Sequence, residues 1–274
     1  MEYERKEVVL AVKDVCVSFG KTKVLDHLSF EIRNVTRPSC STGQIVGLLG
    51  PSGIGKTQLF RRIAGLDKPD TGEILIGVGQ EPVRIGVVGV VAQHCPLFAH
   101  RTVFGNLFVA GRQVGLSRAE ARDKAKEILD RFGLWDHRDL YPASLSGGQR
   151  QRVAISQQIM NTKGVLFLLM DEPFSGLDIV AIEKVSELIS EVANLNDYNT
   201  IILVTHDVTS AIQVADTLLL VGRDLDPEGK PVPGAKIKGS IDLVERGLAW
   251  RKGISLTSEF LEVEKEVREF MHRA

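Results

Sequence analysis

Three short stretches of this sequence combine residue types that bind phosphate or activate water. The first is a glycine-rich loop that ends on a lysine and a threonine, Gly50-Pro51-Ser52-Gly53-Ile54-Gly55-Lys56-Thr57, followed by Gln58. The second places a hydroxyl beside two glycines, Leu145-Ser146-Gly147-Gly148-Gln149. The third sets two carboxylates directly after an apolar run, Met170-Asp171-Glu172-Pro173. The functional prediction depends on the order of these three stretches along the chain.

The glycine-rich loop matches the pattern G-x-x-x-x-G-K-[S/T] of phosphate-binding loops. Glycines let successive backbone N–H groups turn towards phosphate oxygens. Lys56 can then reach the β- and γ-phosphates, and the hydroxyl of Thr57 can hold Mg²⁺. The flanking residues predict a buried strand over 44–49 and a helix over 56–64, whose positive end faces the anion. The match therefore predicts a nucleotide site rather than an ordinary glycine-rich turn.

Polar side chains at the ends of further apolar runs suit ATP hydrolysis. Asp171 can bind Mg²⁺ directly or through water, and Glu172 can orient an attacking water. His206 follows the apolar run 201–204 and can hydrogen-bond a γ-phosphate, while Gln93 follows the predicted strand 87–91 and its amide can sense the metal ion or the water. Each residue alone also has a plainer interpretation: a solvated acidic pair, a structural histidine and a surface glutamine.

These motifs, in this order, resemble the ATPase subunit of ABC transporters over residues 8–222. The resemblance implies that Asp171 and Glu172 serve the metal ion and the attacking water. It also implies a switch role for His206, a coupling role for Gln93, and adenine stacking on Phe19; a core phenylalanine at a strand end is the alternative for Phe19.

The same resemblance gives the other two segments roles between subunits. Residues 145–149 precede a predicted helix, and their free N–H groups suit an anion. In the family such a segment, here Ser146, Gly147, Gly148 and Gln149, completes the ATP site of a second subunit. The stretch Ser175-Gly176-Leu177-Asp178 resembles the loop through which the two ATPase subunits touch. We therefore expect a dimer, homodimeric in the simplest case, around two ATP molecules.

The alternation of strand and helix patterns predicts an α/β fold. We expect a P-loop NTPase (ABC ATPase) core with a mostly parallel sheet, an N-terminal antiparallel β part, and an inserted helical subdomain at about 94–160. The clearest helix follows Ser117, with Glu120 completing a capping box and Gly133 just past its end. The core is predicted over 1–222 and a linker with a tail helix over 223–274. Residues 224–238 contain Pro227, Pro231 and Pro233 and predict a linker or loose hairpin.

Composition limits the class of protein. The 274 residues are 43% hydrophobic and 25% charged, as in an ordinary globular protein. A net charge of −1 offers no electrostatic argument for nucleic acid or anionic lipid. Three cysteines, Cys16, Cys40 and Cys95, make a disulfide framework unlikely and favour reduced thiols in the cytosol. We find no signal sequence, and the apolar runs are shorter than the ~18 residues that span a bilayer, so we expect partner subunits to provide any membrane role.

Assignment to a particular branch of the transporters rests on weaker sequence features. Pro96-Leu97-Phe98 and His100-Arg101-Thr102-Val103 resemble importer ATPases, and 241–250 resemble the nitrate, sulfonate and taurine uptake branch, with polar amino-acid uptake as the rival. This implies transmembrane permease subunits, an extracytoplasmic solute-binding protein, and a position on the cytoplasmic face of the membrane. An ABC exporter and a soluble ABC ATPase are the alternatives. Two departures from the family, a long turn over 34–42 and Ser156-Gln157-Gln158, remove no catalytic group. The tail helix either packs on the core or serves regulation or a partner.

Overall fold

The computed structural model describes residues 3–37, 43–161, 166–251 and 253–274. Within them, ten strands form one mixed sheet in the order β5-β4-β1-β2-β10-β9-β3-β8-β7-β6. The strands are β1 Glu4–Phe19, β2 Thr22–Thr36, β3 Gln44–Leu49, β4 Thr71–Ile76, β5 Glu81–Pro82, β6 Gly89–Val91, β7 Phe167–Asp171, β8 Thr200–Thr205, β9 Thr217–Leu225 and β10 Pro231–Asp242. The helices are α1 Lys56–Ile63, α2 Val103–Gln113, α3 Arg118–Arg131, α4 Gly147–Asn161, α5 Ile179–Ala193, α6 Val208–Val214 and α7 Ser258–Arg273. Outside the described residues lie 38–42 of the long turn, which include Cys40, and Val165, where the apolar run before Asp171 begins.

One half of the sheet is parallel, which confirms the predicted α/β core. Strands β9, β3, β8, β7 and β6 run side by side in parallel. Every residue of β3 and β8 is buried, which is why both strands are continuous apolar runs without alternation. Parallel strands present their carboxyl ends at one sheet edge, and the polar residues predicted for chemistry all follow such ends.

The other half is antiparallel, as predicted for the N-terminal part. β1 and β2 form a long hairpin, and β4 and β5 continue the sheet on the far side of β1. The ladder between β1 and β2 is irregular, with register shifts between Val12 and Val15 and again between Val15 and Val17. These irregularities bring the side chains of Cys16, Asp26 and His27 close together.

The helices α2, α3 and α4 lie in the connection between β6 and β7, which are themselves neighbours in the sheet. The capping box predicted for α3 is present, because Ser117 accepts from the N–H of Glu120 and Glu120 accepts from the N–H of Ser117. Gly133 has a φ of +62° and lets the chain leave the helix, with Leu134 N–H bonded to Leu129 O at 2.8 Å. These three helices lie within residues 103–161.

The segment after residue 222 differs from the linker expected there. Residue 222 lies inside β9, and β10 is a full strand between β9 and β2. Gly234 permits this insertion, because a Cβ at that position would lie 2.4 Å from the Cβ of Asp26 on β2. The hairpin is therefore part of the central sheet rather than loose.

The tail helix α7 packs on the core through Phe260, Val263 and Val267, which are fully buried. A hydrogen bond of 2.5 Å from the Thr209 hydroxyl to Glu264 joins α7 to α6. This supports the packing interpretation of the apolar stripe. None of the helices in the described part of the chain is both long and apolar enough to cross a bilayer.

Candidate functional site

The phosphate-binding loop connects β3 to α1, as its sequence predicts. Gly50 is required by a close approach, since a Cβ there would lie 2.7 Å from the carbonyl oxygen of Val221. Gly55 precedes α1 with a φ of +115°, a conformation that only glycine adopts readily. No side chain among the described residues caps the first turn of α1. Its N–H groups are therefore available to an anion.

Lys56 is held inside this loop. Its Nζ donates to the carbonyl oxygen of Gly50 at 2.6 Å and to that of Pro51 at 3.0 Å. An ammonium group has three protons, so one donor is left for a phosphate oxygen. Burial lowers the pKa of Lys56, and the nearby Glu172 and Asp171 carboxylates oppose that effect. The side chain of Ile54, by contrast, lies in the hydrophobic core, so this residue faces the ligand only through its backbone.

An open cleft of about 410 Å³ brings most of the predicted site residues together. We call it the strand-end cleft, since it lies where β3, β6, β7 and β8 end. Its lining comprises Ser52, Gly53, Gly55, Lys56, Thr57, Gln58, Gln93, Asp171, Glu172 and His206. Every one of these residues was predicted from the sequence. A cavity of about 480 Å³ lies elsewhere, between β2 and β10, but its charged side chains are not arranged around a phosphate loop.

Two carboxylates stand side by side in the strand-end cleft. Asp171 is half-buried, and burial followed by the neighbouring Glu172 charge raises its pKa, while Lys56 lowers it. Glu172 has a φ of +47°, an uncommon value for a non-glycine residue. Its backbone is fixed by hydrogen bonds from Glu172 N–H to Val204 O at 2.8 Å and from Ser175 N–H to Glu172 O at 3.1 Å. The strained backbone aims the Glu172 side chain at the cleft.

Both carboxylate oxygens of Glu172 have partners on the end of β8. The Thr205 hydroxyl donates to Oε2 at 2.8 Å, and Nδ1 of His206 lies 2.6 Å from Oε1. Thr205 in turn accepts from the N–H of Asp207 at 3.0 Å. The sequence analysis did not assign Thr205; a hydroxyl directly before the strand-end histidine is the signal that could have identified it. The arrangement orients Glu172 while each oxygen keeps a second lone pair for water.

Gln93 lies across the strand-end cleft from the acidic pair. Its Nε2 donates to the Ser175 hydroxyl at 3.3 Å, so the predicted coupling residue touches the predicted subunit-contact loop. The oxygen groups of Thr57, Gln93 and Asp171 line the same cleft. Hydroxyl, amide and carboxylate oxygens are the ligands that Mg²⁺ prefers, so this donor set fits the metal ion predicted here.

The Ser-Gly-Gly segment, residues 145–149, forms the start of α4. Ser146 and Gln149 cap it reciprocally: Ser146 N–H donates to Gln149 Oε1 at 2.8 Å, and Gln149 N–H donates to Ser146 Oγ at 3.3 Å. A Cβ on Gly147 would lie 3.0 Å from Leu177, and one on Gly148 would lie 3.0 Å from Ala181. The glycines therefore let α4 pack tightly on α5 and on the loop that precedes it.

The Ser-Gly-Gly segment does not contribute to the strand-end cleft, whose described lining includes none of its residues. Gln149 is oriented by His137, with Nε2 of each side chain 2.8 Å apart. We did not predict His137, because nothing in its sequence neighbourhood distinguishes it from a surface histidine. The segment therefore presents a preformed, fixed helix start away from its own phosphate loop.

Phe19 ends β1 and is 55% exposed, which excludes the core position considered as its alternative. It does not line the strand-end cleft as described. The Arg62 guanidinium lies 5.9 Å from the centre of the Phe19 ring, and Arg62 belongs to α1, the helix that follows the phosphate loop. This contact places the exposed ring beside the nucleotide-binding element.

Comparisons with known proteins identify the family. The model of the ABC transporter family matches residues 34–175. The sulfate/thiosulfate import ATP-binding protein CysA of Pectobacterium atrosepticum is 35% identical over 221 residues, 78% of this chain and 64% of that protein. The protein of the same name from Pseudomonas aeruginosa is 38% identical over 224 residues, again 78% and 64%. This chain therefore spans about three fifths of the length of these relatives.

Solved structures agree on the fold. This chain is similar to cbiO1 of Clostridium perfringens, part of the ABC transporter complex cbiONQ, with a TM-score of 0.73 and 22% identity over 96% of this chain and all of that one. It is also similar to an ATP-binding subunit of an ABC transporter, with a TM-score of 0.67 and 24% identity over 93% of this chain and 99% of that one. The chain belongs to the ABC transporter family and has the ABC ATPase fold.

Proposed function

We propose that this member of the ABC transporter family is an ATPase subunit that binds MgATP in the strand-end cleft and hydrolyses it to drive solute import. One observation supports this most directly: Lys56, Asp171, Glu172 and His206, which are far apart in sequence, line one cleft with the phosphate loop. A nucleotide-binding protein without hydrolysis would need no oriented carboxylate beside the phosphates.

Binding depends on the loop and on Lys56. The N–H groups at the start of α1 and the free proton of the Lys56 ammonium contact the phosphates. A polyanion beside this partly desolvated lysine favours its charged form, which reverses the lowering of its pKa by burial. Phe19, exposed beside α1, supplies a face on which adenine stacks.

Hydrolysis depends on the position of Glu172. Thr205 and His206 fix its two oxygens, so the carboxylate orients an attacking water with little loss of conformational freedom. Thr57, Gln93 and Asp171 would hold Mg²⁺, which would neutralise charge at the phosphates. The imidazole of His206 is more than half exposed, so it can turn to hydrogen-bond the γ-phosphate.

The Ser-Gly-Gly segment serves a second copy of the subunit. Gly147 and Gly148 present helix N–H groups that suit an anion, and Ser146 and Gln149, whose own N–H groups are bonded to each other's side chains, hold this helix start in place. All four residues lie outside the lining of the strand-end cleft of their own chain. A dimer in which each segment faces the partner's cleft gives these groups a ligand. We infer a sandwich of two subunits, homodimeric in the simplest case, around two ATP molecules.

The names of the relatives support import as the direction of transport, since they are import ATP-binding proteins for sulfate and thiosulfate. We propose that transmembrane permease subunits hold this chain at the cytoplasmic face of the membrane and that an extracytoplasmic solute-binding protein supplies the cargo. The nitrate, sulfonate and taurine branch is our proposal for the finer placement, because its cargoes are oxyanions like those of the relatives. Co-purification tests the import assignment. We expect this chain to purify with a permease, and purification alone or with an exporter would contradict the assignment.

Comparison of Lys56→Ala with a matched surface variant, Lys68→Ala, tests the nucleotide site. Loss of a charge-assisted contact should weaken ATP binding roughly 10- to 100-fold in Lys56→Ala. Lys68 is exposed and outside the cleft lining, so its variant should bind like the wild type. ATP affinity is measured by calorimetric titration with Mg²⁺. Equal affinity of wild type and Lys56→Ala would refute the assignment.

A further inference from the structure

A cluster of three metal-binding residue types lies on the β1–β2 hairpin. Cys16 on β1 and Asp26 and His27 on β2 each offer one ligand atom, and these atoms all lie within 4.8 Å of one another. The lining of the strand-end cleft, over the residues that the structure describes, includes none of the three. Nucleotide chemistry therefore does not account for the cluster.

Unusual backbone geometry creates this cluster. His27 has a φ of +49° and Asp14 on the paired strand has a φ of +53°. Neither residue is glycine, and such conformations are uncommon in other residues and cluster at functional sites. Both lie at the irregular part of the ladder. As a result, the backbone N–H of His27 donates to the sulfur of Cys16 at 3.3 Å.

The imidazole of His27 is oriented by Asp14. Nδ1 of His27 lies 2.7 Å from Oδ1 of Asp14, whereas Nε2 faces Oδ1 of Asp26 at 3.9 Å. A histidine that binds a metal through one ring nitrogen almost always donates its other N–H to a carboxylate or carbonyl. Asp14 thus occupies the position of such an outer partner, and Nε2 is left for an ion between His27, Asp26 and Cys16.

We propose that Cys16, Asp26 and His27 form a binding site for a divalent metal ion of the zinc class. Thiolate, imidazole and carboxylate are the three ligand types of zinc in proteins. A hard ion such as Mg²⁺ prefers oxygen ligands only. The sulfur and nitrogen ligands therefore disfavour Mg²⁺, the ion proposed for the strand-end cleft. Three protein ligands leave the fourth tetrahedral position to water.

Two lysines compete for the carboxylate of this site. Nζ of Lys23 lies 2.7 Å from Oδ1 of Asp26, and Nζ of Lys236 lies 3.4 Å from Oδ2. The ion replaces Lys23 at Oδ1, while Lys236 keeps Oδ2 and its second partner, Asp224, at 2.7 Å.

The site adjoins the strand that contacts the phosphate loop. Val24 and Leu25 directly precede Asp26, and a Cβ on Gly55 would lie 3.1 Å from Val24 and 3.3 Å from Leu25. A metal ion that crosslinks β1 to β2 at residues 16, 26 and 27 would stiffen this contact. The proposal stands independently of ATP hydrolysis, because the ligands belong to the hairpin alone.

Titration of the full chain with zinc chloride in the absence of nucleotide tests the proposal. Calorimetry should show saturable binding of one ion, and cadmium in its place should produce the ultraviolet charge-transfer absorption of a cadmium–thiolate bond. Cys16→Ser and His27→Ala should each abolish both signals. Cys95→Ser is the matched control: Cys95 is a buried free cysteine that is not part of the cluster, and this variant should retain both signals.

Two further variants act in opposite directions. Asp14→Asn should weaken zinc binding roughly 10- to 100-fold, as expected for loss of an outer hydrogen-bond partner. Lys23→Gln should tighten it, because the competing cation is gone. The side chain of His27 is 62% exposed, so His27→Ala leaves a folded protein, verified by circular dichroism, even if Cys16→Ser does not fold. Absence of saturable binding to the wild type, or binding that survives His27→Ala unchanged, would overturn the site.

Discussion

Replacement of Glu172 by glutamine separates the charge of this residue from its position. Glutamine has the same shape and can keep both partners of the glutamate. Its Oε1 accepts from the Thr205 hydroxyl, which is 2.8 Å from Glu172 Oε2, and its amide N–H donates to Nδ1 of neutral His206, which is 2.6 Å from Oε1. The side chain therefore stays aimed at the strand-end cleft, and only the negative charge is lost.

The expected loss of ATP turnover follows from the role of the Glu172 charge as a general base. A positioned general base accelerates a reaction by about 10²–10⁴, so ATP turnover should fall by that factor. This corresponds to roughly 3–5 kcal/mol in activation free energy. ATP binding should be unaffected or tighter, because the side-chain hydrogen bonds of Glu172 go to Thr205 and His206 and removal of a carboxylate reduces repulsion of the phosphates. The variant should also accumulate as an ATP-bound dimer.

Three measurements on one preparation test this reasoning: phosphate release at saturating MgATP, ATP affinity by calorimetry, and mass by light scattering with and without ATP. Glu191→Gln is the control. Its exposed carboxylate pairs with Arg131 at the surface, a kind of contact that contributes at most about 1 kcal/mol, so turnover should be unchanged. Near-normal hydrolysis by Glu172→Gln would refute the role of Glu172 as the base.

Two other substitutions address the dimer and the core. Ser146→Arg should abolish ATPase activity in the presence of the membrane partner yet spare ATP binding by the variant chain, because arginine fills the space meant for the partner's γ-phosphate; full steady-state activity at saturating ATP would contradict the two-subunit site. Burial raises the pKa of Asp216 from 3.8 to about 7, so its contribution to stability is fully present below about pH 4 and is lost as pH rises through 7. Relative to Asp216→Asn, the free energy of unfolding of the wild type should fall by roughly 2–3 kcal/mol between about pH 5 and about pH 8; a urea-denaturation difference that does not change with pH would contradict it.

The strand-end cleft was predictable because its residues follow apolar runs in the sequence. Asp171 and His206 directly follow apolar runs, Lys56 follows the loop after the strand predicted over 44–49, and parallel strands bring their carboxyl ends to one edge. The partners of these residues were not predictable in the same way. Thr205 carried one local signal, a hydroxyl directly before the strand-end histidine, but its bond to Glu172 is visible only in the fold. His137 becomes meaningful only once the fold sets it against Gln149, because a hydrogen bond between residues apart in sequence leaves no local pattern.

Beyond residue 222, the sequence pattern predicts a linker, whereas the structure has the strand β10. Three prolines and two glycines within 224–238 predict a turn-rich linker, and locally that is correct at the turn 226–230. Strand β10 forms because tertiary contacts override the local preference: it pairs with β9 along its length and meets β2 at Ala235 and Leu25. Gly234, which would signal flexibility in isolation, is needed for close packing against Asp26.

The loop 175–178 connects the strand-end cleft to the Ser-Gly-Gly segment, which under the proposed function faces the second subunit. Ser175 accepts from Gln93 in the strand-end cleft, and Leu177, two residues on, lies against Gly147 of the Ser-Gly-Gly segment. Ser175 also reaches Glu172 through its backbone N–H. A shift of Gln93 or Glu172 when the γ-phosphate is lost therefore passes through a four-residue loop to the helix start that, under the proposed function, closes the partner's site. Gln149 and His137 fix that helix start, so under the proposed function loss of the γ-phosphate in one cleft would weaken the closure of the partner's cleft.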